Sequence, residues 1–131
     1  IEAAGRSADV RTAARASLGL AEALIEMGMH AEAIEQGTRA RQLADRAGDD
    51  DLTARALLAL GRSESDAGRL RRARTLLEGA RQRFEAMGDL RGQGWALHRL
   101  SETWALADLG RELDDLRGAY RLFSSARDRF G

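Results

Sequence analysis

The sequence predicts an all-α fold, a solenoid of antiparallel helix pairs with about six or seven helices in a single domain over residues 1–131. Three observations carry this: self-similarity at a shift of 40 residues, the absence of proline, and an apolar content rich in Ala and Leu. Hydrophobic residues make up 44% of the chain and aromatics only 5%, which favours helix and close helix packing over strand. Without proline, no helix interior need be interrupted.

A repeat changes every later inference, so it is read first. Gly48-Asp49 recurs as Gly88-Asp89, Gly28 as Gly68, and Ala40-Arg41-Gln42 as Ala80-Arg81-Gln82. Ala14-Arg15-Ala16-x-Leu18-x-Leu20 recurs as Ala54-Arg55-Ala56-x-Leu58-x-Leu60. One shift satisfies all of these, giving units at about 9–48, 49–88 and 89–131. The third unit keeps the shift through its first half and then slips. Leu116-Arg117-x-Ala119 matches Leu70-Arg71-x-Ala73, and Ala126-Arg127-x-Arg129-Phe130 matches Ala80-Arg81-x-Arg83-Phe84, at a shift of 46. Six extra residues around 109–115 are therefore expected to connect the two helices of the third unit.

Each unit reads as two helices. In the first, the helices should stop at Gly28 and Gly48. In the second, Asp49-Asp50-Asp51 offers an N-cap acceptor and negative charge at a helix start. Leu52, Leu57, Leu58 and Leu60 follow at helical spacing, and Gly68 ends the helix. The next helix runs from about Leu70 to Met87, with Leu70, Ala73, Leu76, Leu77, Ala80 and Phe84 on one stripe, and stops at Gly88. Gly28, Gly48, Gly68 and Gly88 are turn glycines, a position that asks for positive φ. Gly92-x-Gly94 is not a dinucleotide motif, since no strand precedes it. Residues 1–8 look like the tail of a preceding unit, because Ile1-Glu2-Ala3-Ala4-Gly5 resembles Phe84-Glu85-Ala86-Met87-Gly88. The chain is accordingly expected to be a segment of a longer array.

These residues resemble the tetratricopeptide repeat in its form of about 40 residues, with Gly-Asp between units. The resemblance implies bulky, bulky, small, bulky on each first helix and small, bulky, small on each second. The first unit supplies Ser17, Leu20, Ala21, Leu24, then Ala33, Gly37 and Ala40. The second supplies Leu57, Leu60, Gly61, Glu64, then Ala73, Leu77 and Ala80. The third supplies Leu97, Leu100, Ser101, Trp104, then Ala119, Phe123 and Ala126. Ser17 and Gly37 are undersized for the pattern, and Glu64 stands where a bulky apolar residue is expected. Arrays with this spacing are similar to those of bacterial regulators of the maltose-activator type, of antibiotic-pathway regulators and of kinesin light chains. The resemblance thus implies binding of protein or peptide, or sensing of an effector, rather than catalysis.

First helices line the concave face of such an array. The family's inner-face positions fall on Arg15, Leu18, Glu22 and Glu26, then on Arg55, Leu58, Arg62, Ser65 and Asp66, and finally on Trp95, His98, Arg99 and Glu102. Of these, Arg15, Glu22, Arg55, Arg62, Asp66, Trp95, His98, Arg99 and Glu102 are the candidate partner-binding residues. Arg can grip carboxylates or carbonyls in forked geometry, and Trp anchors interfaces. Alternating Arg and Glu also describes an ordinary solvated face. Trp104 falls on a core position.

The remaining chemistry is narrowed by what the sequence lacks. All 21 cations are arginine, balanced by 21 carboxylates, and there is no cysteine. No P-loop, Schiff-base or thiolate chemistry is available. The run Arg69, Arg71, Arg72, Arg74, Arg81 and Arg83 suggests an acidic partner, but cations and anions number 6 and 7, 8 and 7, and 7 and 7 in residues 1–48, 49–88 and 89–131. Arg74 with Glu78 and Arg81 with Glu85 stand one helical turn apart and should pair, so nucleic acid is not the expected ligand. His98 and Glu102 could offer two metal ligands, but His30 is 68 residues away, so neither a metal nor a cofactor is expected. No spaced nucleophile triad accompanies the helix-borne Ser, His and Asp residues. No membrane span or signal segment is legible, and a cytoplasmic location is expected. The expectation is a non-catalytic interaction module of a bacterial protein, with an effector-sensing array or a self-associating homodimer as alternatives.

Overall fold

The computed structural model describes the backbone of residues 2–130 and the side chains of residue 6 and residues 8–127. Five helices follow one another: α1 (Glu2–Glu26), α2 (His30–Ala47), α3 (Asp50–Asp66), α4 (Leu70–Ala86) and α5 (Leu90–Phe130). The all-helical fold is as expected; among the described residues the helices number five, not six or seven.

Four turns of one design set the architecture. Gly28, Gly48, Gly68 and Gly88 have φ of 74°, 64°, 85° and 69°, a conformation that costs side-chain-bearing residues energy. At each, the glycine N–H bonds back three residues and the next N–H bonds back five, as in Met29 N–H to Leu24 O (2.9 Å) and Asp89 N–H to Phe84 O (2.9 Å). This satisfies the last carbonyls of one helix and reverses the chain. Asp49 then caps α3, its Oδ1 accepting from Leu52 N (3.0 Å), while its Oδ2 accepts from Arg11 Nε (3.1 Å) of α1. Asp89 caps α5 in the same way, through Gly92 N (2.9 Å).

Each helix packs on its sequence neighbour, and α1 also meets α3, and α3 meets α5, whereas α2 and α4 do not touch. The odd helices therefore form the tight inner layer and the even helices the splayed outer one, which curves the body with the odd helices on the concave side. Helix α3, covered from both flanks, is the most buried, with Leu52, Ala54, Ala56, Leu57, Leu60 and Gly61 all inside. Leu20, one unit before buried Leu60, is exposed. Leu60 lies against the α2 backbone at Gly37, and among the described residues no helix precedes α1 to do the same for Leu20.

The residues that depart from the expected size pattern have partners. Gly37 is small because Leu60 fills its place: a Cβ there would lie 3.0 Å from Leu60 Cδ2. Glu64 is only 1% exposed, and its carboxylate accepts from Arg69 Nε at the turn and lies 3.6 Å from Arg72 Nε. A buried carboxylate is tolerable when paired and hydrogen-bonded. On α4, Arg81 bonds Glu78 (Nε to Oε1, 2.9 Å) and Glu85 (Nη1 to Oε2, 3.0 Å). The hydrogen bond from Arg81 holds the Glu78 carboxyl below its ordinary range. The expected Arg74–Glu78 pair is replaced, because Arg74 turns to α5. Its guanidinium stacks 3.7 Å over the Trp104 ring and donates to Thr103 O (3.3 Å).

The third unit departs most from expectation. No turn interrupts 109–115, and α5 continues as helix to Phe130. Gly110 there does not take positive φ, and Arg111-Glu112-Leu113 around it are good helix formers. Leu97 and Trp104 consequently have no second helix over them and are exposed, as are Ala119, Phe123 and Ala126. Trp104 is not in the core; it lies on the surface under Arg74. The side chains of residues 1–5 and 7, on which the expected tail of a preceding unit rests, and those of Arg129 and Phe130, lie outside the described residues.

A Cβ on Gly61 would lie 2.5 Å from Leu77 Cγ, so Gly61→Val should lower unfolding stability in urea by about 1–3 kcal/mol. Gly94 has nothing within 4 Å, and Gly94→Ala should raise it by roughly 0.5–1 kcal/mol. Replacing Arg69 and Arg72 together by Ala strands the Glu64 carboxylate and should cost about 3 kcal/mol, whereas Glu64→Leu should be neutral or stabilising.

Candidate functional site: the groove between the odd helices

Three helices that meet on the concave side enclose an open groove of about 690 Å³. Helix α1 contributes Gly19, Glu22, Ala23, Ile25 and Glu26, α3 contributes Arg55, Leu58, Ala59 and Arg62, and α5 contributes Trp95 and Arg99. The apolar floor comes from Ile25, Leu58 and the alanines, and the charged groups stand along the walls. Ordinary ligand sites combine these two elements in a volume of this order.

The charges are ordered across the groove. Glu22 and Glu26 stand on the α1 wall, Arg55 and Arg62 in the middle, and Arg99 on the α5 wall. Arg62 Nη2 donates to Glu26 Oε1 at 2.7 Å, joining α3 to α1. Arg55 lies 3.8 Å from Glu22 and 3.9 Å from Asp51 of its own helix. Arg99 Nη1 donates to Glu102 Oε2 at 3.0 Å. These are half-exposed pairs, each contributing about 0–1 kcal/mol, so an incoming carboxylate or carbonyl can displace them at small cost. Arg62 Nε is shielded from solvent and has no hydrogen-bond partner, which leaves one N–H of this fork free within the groove wall.

Of the nine candidate residues, the groove gathers Glu22, Arg55, Arg62, Trp95 and Arg99. His98 and Glu102 sit at the rim: the His98 ring meets Trp95 edge-on with centroids 6.3 Å apart, and its Nε2 lies 3.1 Å from Glu102 Oε1. Arg15 and Asp66 are exposed and do not line the groove. Leu18 and Ser65, placed on the open face by the family pattern, are buried instead. On α1 the groove keeps Glu22 and Glu26 of the expected stripe and adds Gly19 and Ala23 beside them. Gly19, Ala23, Ile25 and Ala59 were missed by the sequence reading. Gly19, Glu22, Ala23 and Glu26 follow the i, i+3, i+4, i+7 spacing of one face of α1, but small residues such as Gly19 and Ala23 carry no chemistry that marks them as lining a groove.

Five of the six arginines of the basic run at and along α4 belong to other contacts: Arg69 and Arg72 to Glu64, Arg74 to Trp104, Arg81 to Glu78 and Glu85, and Arg83 to Asp50 at 3.9 Å; Arg71 is exposed. Among the described residues no helix is long and apolar enough to cross a membrane.

Stacked antiparallel helix pairs with a concave inner layer define a helical-repeat scaffold, the class whose members bind partners along the inner face. The tetratricopeptide repeat model matches residues 12–86, more than half of the chain, and the chain belongs to that family. The matched stretch ends with α4, so α5 lies beyond it. Comparison with curated proteins and with solved structures gave no match. The family suggests a protein–protein interaction module.

Proposed function

We propose that this chain is a non-catalytic, regulatory interaction module, built on 40-residue units at 9–48 and 49–88, that takes a peptide or protein segment into the α1–α3–α5 groove. The observation that carries this is the convergence of Arg55, Arg62, Arg99 and Trp95 from two different helices on one open, apolar-floored groove. Arginines held only by weak pairs offer forked donors to carboxylates and backbone carbonyls. Trp95, half exposed beside them, supplies the apolar anchor that interfaces depend on. A module of this kind, in the cytoplasm of a bacterium, serves a larger regulator by presenting or withholding the groove.

A second reading is favoured by the groove's size, since about 690 Å³ falls within the roughly 300–1,000 Å³ range of small-molecule sites. In that case the array senses an effector for a transcription regulator of the types it resembles.

A displayed library of random peptides, selected on the chain and counter-selected on an Arg62→Ala, Arg99→Ala variant, tests the first reading. Peptides enriched on the parent should bind the double variant at least ten-fold more weakly. The variant's melting temperature should stay within a few degrees, because each lost pair is half-exposed and contributes about 0–1 kcal/mol. Peptides held equally well by both proteins would move the binding surface off this groove.

A further inference from the structure

Thr103 is the last buried side chain of α5 among the described residues. Residues 105–127 continue beyond the body as helix for about 35 Å at 1.5 Å per residue, and none of them is buried. A single helix of this length is marginal in water unless an apolar face is covered.

This helix has such a face. Leu106, Leu109, Leu113, Leu116, Tyr120 and Phe123 are between 44% and 77% exposed, and they follow one another at intervals of three, four, three, four and three residues. That is the a/d spacing of a coiled coil rather than the broader stripe of a helix lying on a globular body. With Leu106 at a, five of the nine outward b, c and f positions are charged, Asp108, Arg111, Asp114, Asp115 and Arg121, and Leu122 is the one large apolar residue among them. Glu112 falls at g, and Arg117 at the e position of the next heptad.

These flanking charges select the occupant and its direction. In a parallel pair of helices, g of one strand faces the following e of the other. Glu112 of each copy then meets Arg117 of its partner, once on each side of the seam. In an antiparallel pair that layers Leu109 on Leu113, Glu112 would instead face the other copy's Glu112. We propose that a second copy of this chain covers the stripe, and that residues 106–123 of the two copies form a parallel two-stranded coiled coil. The seam drifts on a straight helix by about 20° per heptad, and a left-handed wrap of the two copies corrects it. Residues 116–127 also repeat the beginning of α4 in sequence, but folding back within one chain would need a break in 105–115, where α5 is continuous. The two-fold arrangement uses α5 as it stands, and it makes no use of the groove.

The chain has no cysteine, so a single introduced one reports directly on its neighbour. In sedimentation equilibrium at tens of micromolar, the chain should weigh twice its 14.3 kDa, and Leu113→Glu with Leu116→Glu should halve that weight. A Leu116→Cys variant should form a covalent dimer on mild oxidation. Both positions are exposed, so thermal unfolding of the α1–α4 body should be retained in these variants. A monomeric parent chain, a dimer that survives the double Glu substitution, or a higher oligomer would overturn the proposal. So would cross-linking by paired Leu109→Cys and Leu113→Cys with none by Leu116→Cys, which marks antiparallel strands.

Discussion

The packing of α2 through α5 depends on one close contact used three times: a large side chain seated against a glycine of the neighbouring helix. Leu60 of α3 meets Gly37 of α2, Leu77 of α4 meets Gly61 of α3, and Phe84 of α4 meets Gly92 of α5. At Gly61 and Gly92 an added Cβ would fall within 2.6 Å of that side chain, nearer than atoms can stand. Removing the Cβ lets two backbones approach, and the large residue then fills the gap at interior density. The cost of a glycine inside a helix, about 0.5–1 kcal/mol, is offset by burial of Leu or Phe, about 1.5–3 kcal/mol for a full side chain.

The groove is a consequence of that packing. The even helices are held against the odd ones by these seats but do not touch each other, so the array bends towards α1, α3 and α5. Bending sets Glu26 and Arg62 within 2.7 Å across neighbouring inner helices and leaves an open volume between them and Trp95. The charges at the groove are paired weakly enough to exchange with a ligand, whereas the buried Glu64 is held by Arg69 and Arg72. Within one short chain, then, arginine serves as a fixed counter-ion at the α3–α4 turn and as an available donor at the groove.

Helix α5 shows where this logic stops. Its first half is seated by Phe84 on Gly92 and by Arg74 on Trp104. Past Trp104 nothing equivalent holds it, and its apolar residues change from the spacing of a packed helix to the heptad spacing of a helix paired with another. The body and the projecting helix therefore call for different partners, one in the groove and one along the stripe.

Composition and the 40-residue period by themselves determined the helical class, the four turn glycines, the Asp49 cap and the buried face of α4. Each of these is a local or periodic property, carried by residues a few positions apart. Five of the nine residues expected at a binding face also proved to share one groove. Tertiary structure alone decided the rest. It set how far α1 is rotated, which buries Leu18 and brings Gly19 and Ala23 to the groove floor. It found Glu64 its arginines, turned Arg74 from Glu78 to Trp104, and kept α5 continuous where the sequence predicts a break. These outcomes turn on which neighbour reaches a side chain first, a matter of helix positions in space that no spacing along the chain encodes.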